Sequence, residues 1–597
     1  MSESETDHHQ TQHALLVAWG EFARQLGLIE AMEKASITQR RREHTPQTKV
    51  LEFFVANLGG LKYLEEISRA AHPLDQDREV ARAWGREQWA DYSGVSRTLS
   101  RLSQAEVDEI VSKLEAISQV FIDSEVNLAL LGEGRLVYDG DLTGIPVCKS
   151  SKTYPETAYG HMDDQIKLGY QACVISFLSP SYGRLWLAVE HRPGNTVAAT
   201  QVEGMIHTAE ARTGVRPVRR TDLLTQRLAR VHRQGASLLE KQEARQQKVV
   251  QAQPAKQQVE QEVRFYQAQV VELEAAYEKQ GRLERPTSRL GIARKRLAVV
   301  QNRLVRRQKA LLKAQEVLEW TAGLLAQQQR EEWTLRERLD RFTQENATNP
   351  NSIQAVFRLD AGFSTYENLA LLIEMGYEVY TKAFNHETLR VLFRQFEAVE
   401  GWQSVGAGVE MLGHAAQAPH KFCYPLDIGL ERFTTSEGQL KKGAMLHFGT
   451  DPITQNVQRW FDFYNGRQSI EAGIKESKRI FYLHRLKVRS LPAILLQEHC
   501  VLFAANFIRW ANTWLMQHAS GSAKPKLDQS RVGMKHLVQV AAHTSANVIW
   551  YSDGCLLRFS DLSLLAGKEL FLPTSSAHKQ NGSRKSCFFH GFRRFAK

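Results

Sequence analysis

The period of the apolar positions changes along the chain, and each change marks a different kind of element. Up to residue 130 they recur at helical spacing, in runs such as KVLEFFVANLGGLKYLEEISRAA and QAEVDEIVSKLEAISQVFI. This predicts a helical domain over 1–130. Residues 131–220 turn strand-like: GRLVYDGDLTG ends an apolar run on two aspartates, and KLGYQACVISFLS and GRLWLAVEHRPGNT read as strands. A helix, AATQVEGMIHTAEARTG, closes that block.

From 221 to 346 a heptad takes over. Leu290, Leu297, Leu304, Leu311, Leu318 and Leu325 repeat every seven residues, while Val259, Val263, Tyr266, Val270, Leu273 and Tyr277 step by four and three. Each seam wants a partner helix. Gly281 and Pro286, in QGRLERPTSR, break the run near its middle. Two arms about one breaker predict an antiparallel coiled-coil hairpin, with Pro254 kinking the first arm or marking where its pairing starts. Strand and helix signals return over 347–384, where IQAVFRLDAGF ends on Asp360 and is followed by STYENLALLIEMG and YEVYTKAF. A β-rich region is expected over 385–458, a charged helix and an apolar helix over 459–520, and a C-terminal region with a basic tail over 521–597. The apolar run from Leu491 to Met516 is interrupted by Gln497, Glu498, His499, Asn506, Arg509 and Asn512, which favours a core helix over a membrane span.

Composition adds a partner class. The 597 residues carry 77 Lys and Arg against 66 Asp and Glu, a net charge of +11, which suits a polyanion. Six scattered cysteines without a CxxC pair argue for a reducing compartment. His420/Cys423 and Cys587/His590 have ligand-like spacing but no matching half, so structural zinc is not expected. The polar start MSESETDHHQTQH has no signal-peptide core, and a cytosolic protein with no membrane partner is expected.

Candidate chemistry lies in FYNGRQSIEAGIKESKR. On one helix, Tyr464, Arg467, Glu471 and Lys478 would fall within about 60° of one another. With the hairpin set aside, the element order resembles an RNase H-like fold, and that resemblance implies convergent carboxylates at Asp139 or Asp141, at Asp360 and at Glu471. Three convergent carboxylates are what two hard divalent cations need for an in-line displacement at phosphorus. Period two puts Asp139 and Asp141 on the same strand face, so position alone does not separate them.

This order resembles an α/β RNase H-like core, here interrupted by the coiled-coil hairpin and the β-rich insertion and preceded by the helical domain. The Y-x2-R-x3-E-x6-K spacing at Tyr464, Arg467, Glu471 and Lys478, after YDGDLTG and RLDAGF, is similar to the DDE transposases of bacterial insertion sequences. The resemblance covers about residues 130–220 and 350–490. It implies Asp141, Asp360 and Glu471 as catalytic ligands of two Mg²⁺ ions, with Mn²⁺ substituting. The family's first aspartate usually precedes a threonine by two positions, as Asp141 precedes Thr143, and Asp139 is the alternative ligand.

The resemblance also implies that Arg467 and Lys478 hold end phosphates and that Tyr464 donates to a phosphate or stacks beside them. Trp402 and Trp460, with Phe422 and Tyr424, are candidates to stack on a flipped base. The family binds terminal inverted repeats as a homodimer or larger assembly in the bacterial cytosol, hydrolyses the ends of double-stranded DNA and joins the 3′-OH to target DNA. The hairpin between the two aspartates departs from its usual pattern.

WADYSGVSRTLSRLS resembles the helix-turn-helix of bacterial regulators, one residue short before the Thr, and implies DNA contacts at Ser96, Arg97, Thr98 and Arg101. Lys441, Lys442 and the basic tail could add phosphate contacts. Two other readings share these features: a non-catalytic coiled-coil DNA-binding or architectural protein, and a metal-dependent nuclease that cuts without joining.

Overall fold

A computed structural model describes residues 9–41, 43–148, 153–162, 165–419, 421–435, 438–519, 529–560 and 568–573. The basic tail, with Cys587 and His590, and His420 lie outside them. The chain forms two compact units, one built from 1–218 and 351–597 and one from 219–350.

The larger unit is mixed α/β, organised by a ten-stranded mixed sheet. Its central strand is Arg135–Pro146. On one side this strand pairs antiparallel with Gln165–Phe177, which pairs antiparallel in turn with Leu185–Pro193 and with Ala158–Met162. On the other side it pairs parallel with Gln354–Arg358, itself parallel to Glu378–Lys382. The β-rich region is continuous with this sheet: Leu440–Phe448 pairs antiparallel with Glu378–Lys382, and Leu426–Thr434, Val409–Gln417 and Gln403–Gly406 follow it outward.

Leu491–His518 is long and apolar enough to cross a membrane, but 78% of its apolar window is buried inside the protein. Asn506, Glu498 and Arg509, among its polar residues, have internal partners, which offsets the cost of burying them. Asn506 bridges the N–H and C=O of Trp186 at 2.9 Å each, Glu498 meets His191 at 2.8 Å, and Arg509 donates to Glu476 at 2.8 Å. The N-terminal helices pack on the same helix. Phe22 of Ala14–Gln25 lies 5.3 Å from Phe507, and Phe54 of Pro46–Leu58 lies 5.4 Å from Phe503. His9–Thr11 adds an edge strand to a small sheet through Ala546–Trp550, so a segment early in the chain is hydrogen-bonded to one late in it.

In the smaller unit, Thr221–Lys279 and Arg289–Ala347 are antiparallel helices joined through Gln280–Ser288, where the sequence places its breaker. At 1.5 Å per residue each arm is about 88 Å long. Val259, Val263 and Val300 form one buried cluster with Tyr266, Leu297 and Leu304 against it; Val270, Leu290 and Ala293 form the next. The heptad leucines thus meet the four-three stripe of the opposite arm, as knobs require. The first arm runs through Pro254 without ending. At the base, Asn346 accepts from the N–H of Arg219 at 2.7 Å and donates to its C=O at 2.9 Å.

Candidate active site

Asp139 and Arg358 are register partners on the two adjacent parallel strands. Two residues further along each chain stand Asp141 and Asp360, so the register that pairs the first couple sets the second side by side. Asp141 is still within its strand; Asp360 lies just past its own and caps the short turn Ala361–Phe363. In each aspartate one oxygen is held by a nearby amide: Leu142 N–H donates to Asp141 Oδ1 at 2.8 Å, and Gly362 N–H to Asp360 Oδ1 at 2.9 Å. The other oxygens face a common point, the guanidinium of Arg467. Its Nη2 lies 3.1 Å from Asp141 Oδ2 and 4.0 Å from Asp360 Oδ2, and its Nη1 lies 3.2 Å from Glu471 Oε1.

Arg467 reaches this point from a break. The expected single helix is two, Val457–Asn465 and Gln468–Arg479, joined by Gly466 and Arg467 with helical dihedrals; Gly466 N–H still bonds to Asp462 O, but Arg467, Ser469 and Ile470 donate i→i−3. Glu471 therefore falls in the first turn of the second helix, where the helix dipole favours an anion. Gly466 is needed for close approach: a Cβ there would stand 2.8 Å from Arg358 Nη1, which donates to Phe463 O at 2.8 Å.

The break also corrects the expected stripe. Tyr464 does not stand beside Arg467 on an open face. It is buried in the cluster of Val356, Tyr380 and Trp460, and its hydroxyl donates to Leu359 O at 3.3 Å. Burial raises its pKa, and it is not available to a phosphate. Lys478 is half-buried in the last turn of its helix.

Asp139 is corrected as an alternative ligand. It is wholly buried, with Arg358 Nε and Nη2 on its two oxygens at 2.8 Å and Arg184 Nη2 at 3.0 Å. Arg184 also donates to Ser469 and Ser176. Both of Asp139's oxygens are thus committed to buried cations, and it joins the Asp141 strand, the Asp360 strand and the Glu471 helix from behind. Arg184 and Arg358 were the functional residues the sequence reading missed. A lone Arg inside AVFRLD, a run that must be buried, was the available signal, because a buried cation needs an acid.

The stacking candidates are occupied. Trp460 is fully buried, 5.9 Å from His447. Trp402 is half-buried, with Arg432 over its ring at 4.2 Å and its indole N–H on Ala398 O. Tyr424 is buried and donates to Glu374 at 2.9 Å, and Phe422 packs edge-on to Tyr366.

The helix-turn-helix expectation is corrected too. Asp91 caps a helix over Tyr92–Leu99 by accepting from Gly94 N–H, so Gly94 lies inside that helix and makes no turn. The preceding helix, Arg78–Ala83, ends well before it. Thr98 is buried with Val95 and Leu99, because a short amphipathic helix must turn that face to the core. Ser96 is half-buried, and Arg97 and Arg101 are exposed. Lys442 is paired with Glu397 at 2.9 Å.

Burial raises the Asp141 carboxyl to about 6; Arg467 opposes the rise, and Asp360 and Glu471 add to it. Glu471 and Asp360 are about half exposed and Asp141 15% exposed, so the cluster opens to solvent on one side. Among the described residues, no group of three or more His, Cys, Asp or Glu side chains is arranged as it stands to hold a metal ion. Here the carboxylates are spread around the guanidinium. The donor set still fits a hard divalent cation: oxygen only, one fixed and one aimed oxygen on each aspartate, and like charges held together by a single positive group. Compared with known protein families and curated proteins, the chain matches no family model and no curated sequence.

Proposed function

We propose that the protein is a DNA transposase of the Asp-Asp-Glu type, cutting phosphodiester bonds at the ends of a mobile element and joining the 3′-OH to target DNA. One observation carries the reading. Asp141, Asp360 and Glu471 come from three separate segments, and all face one guanidinium, although Asp141 and Arg467 are 326 residues apart. The strand order supports it as well: three antiparallel strands followed by two parallel ones on the far side of the first is the arrangement an RNase H-like core has.

In this reading Asp141, Asp360 and Glu471 would hold two Mg²⁺ ions. When bound, such ions polarise the phosphoryl group and make a hydroxyl a competent nucleophile at neutral pH. The protein's own residues do the rest. The amides of Leu142 and Gly362 fix the aspartates, Asp139 with its two arginines holds the elements that carry them, and Arg467 balances the negative charge. Its guanidinium is buried and taken up by Asp141 and Glu471, so its part is to hold the carboxylates together.

The test uses purified protein and linear DNA carrying the repeats that flank its coding region, with Mg²⁺ or Mn²⁺. Cleavage at the repeat ends, lost in Asp360→Ala and Glu471→Ala, is expected. Full activity in those variants would overturn the assignment. A strand-transfer assay separates joining from cutting alone.

A further inference from the structure

The second arm of the hairpin is strongly one-sided in charge. From Arg289 to Gln315 there are nine Arg and Lys residues and no Asp or Glu. Two of the nine are used inside the hairpin: Arg294 pairs with Glu274 and Glu284, and Arg303 with Glu262. The other seven are exposed and, among the described residues, form no ion pair.

Their placement is regular. Taking the leucine seam as the origin at 100° per residue, Lys295, Arg306, Lys309 and Lys313 stand roughly 160–200° away. They therefore line the back of the arm, facing away from the helix that buries its front. Lys295 to Lys313 covers about 27 Å of a straight rod. That matches about eight base pairs at 3.4 Å of axis per strand phosphate.

We infer that this back face of the second arm is a sequence-independent contact for the phosphate backbone of duplex DNA. The choice of DNA as the polyanion rests on the proposed function; the existence of a polyanion site rests on the stripe alone. A linear row of uncompensated cations on a stiff support matches a linear polyanion better than a compact acidic protein surface. Arg289, Arg296 and Arg307, also exposed, flank the row. Val299 and Leu312 are exposed on the same arm, so self-association through this face is the competing use.

The experiment uses the full chain carrying Arg306→Glu, Lys309→Glu and Lys313→Glu together, and a second variant with Gln at all three. Binding to a 30-base-pair duplex of arbitrary sequence is followed by fluorescence anisotropy from low to moderate salt, without divalent ions. Since each neutralised phosphate contributes about 0.9 to the slope of log K against log salt, the Gln variant should lose about 2–3 from the slope. Its affinity at low salt should fall at least about tenfold, with the Glu variant weaker still. Circular dichroism and light scattering should be unchanged. An unaltered slope and affinity in both variants would overturn the inference. So would a loss of affinity accompanied by loss of an oligomer, or wild-type binding to anionic vesicles or polyglutamate as tight as to DNA. No cleavage is read, so a failure of end cleavage would count against the transposase assignment and leave this measurement standing.

Discussion

Asp139 and Arg358 face each other across two parallel strands with both carboxylate oxygens bonded to one guanidinium at 2.8 Å. The open carboxylates lie one pleat further on, at Asp141 and Asp360, where the proposed chemistry would take place. The buried couple is therefore a strut beneath the open one, and the two aspartates of DGD have opposite duties.

Replacing them should separate those duties. Asp139→Asn strands Arg184 and Arg358 in the interior, and breaking a buried pair of this kind costs about 3–5 kcal/mol. A large drop in the urea midpoint is expected. Asp141→Asn should keep the wild-type midpoint within about 1 kcal/mol while abolishing end cleavage, because burial already disfavours the charged form of Asp141 and Arg467 keeps Glu471 as a partner. Equal stabilities for the two variants would show that Asp139 carries no structural load.

Among the described residues, Arg467 is the one cation within 4.0 Å of all three carboxylates. Removing it in Arg467→Gln leaves their repulsion uncompensated. Mg²⁺ or Mn²⁺ should then raise the melting temperature more in the variant than in wild type at equal concentration, since a ligand stabilises by RT ln(1 + [L]/Kd). Scanning calorimetry across a metal titration measures this. Equal shifts would mean that guanidinium and metal do not compete for the same carboxylates.

Tyr464 and Trp460 are one turn apart and both buried, but only one fills a large volume. Tyr464→Phe removes a single 3.3 Å hydrogen bond and should cost about 1 kcal/mol or less, with DNA affinity unchanged. Trp460→Ala should cost about 3–5 kcal/mol through the cavity it opens. A DNA-binding defect in a normally stable Tyr464→Phe protein would restore the phosphate-contact role that burial denies it.

Lys487 provides a pH signature. Its Nζ donates to Asn57 Oδ1 at 2.5 Å, and desolvation lowers its pKa to about 7. The folded state then binds fewer protons here than the unfolded chain between pH 7 and about 10, where a free lysine titrates. Stability from this group must rise as pH increases through that window. Lys487→Met should flatten the rise in denaturation midpoint; an unchanged slope would assign it to other groups.

The parts that were legible in the sequence are those with a long repeat or a fixed order. Six leucines at sevenfold spacing against a four-three stripe permit little besides paired helices, and the Gln280–Ser288 connection falls on the Gly and Pro that interrupt them. The β-strand signals around Asp141 and Asp360 were readable for the same reason. What escaped were features that leave the period intact. Gly466 and Arg467 keep helical dihedrals, so no pattern marks the shift from i→i−4 to i→i−3 bonding that separates the helix of Tyr464 from the helix of Glu471. At residues 91–99 a motif outvoted a cap: Asp91 was a better helix start than Gly94 was a turn.

The bridge between Arg216 and Ser352 has a consequence for how the molecule is assembled. The chain departs from the larger unit at Val218 and rejoins it at Asn351, with Ile353 N–H bonded to Arg216 O. An unstructured excursion of about 130 residues would add roughly 3 kcal/mol of closure entropy over a four-residue loop. A hairpin that zips on itself returns its ends to one place, so the strand leading to Asp360 is delivered as though by a tight turn. The insertion is long in sequence and short in entropy, which lets a sheet tolerate an interruption between the strands that lead to Asp141 and Asp360.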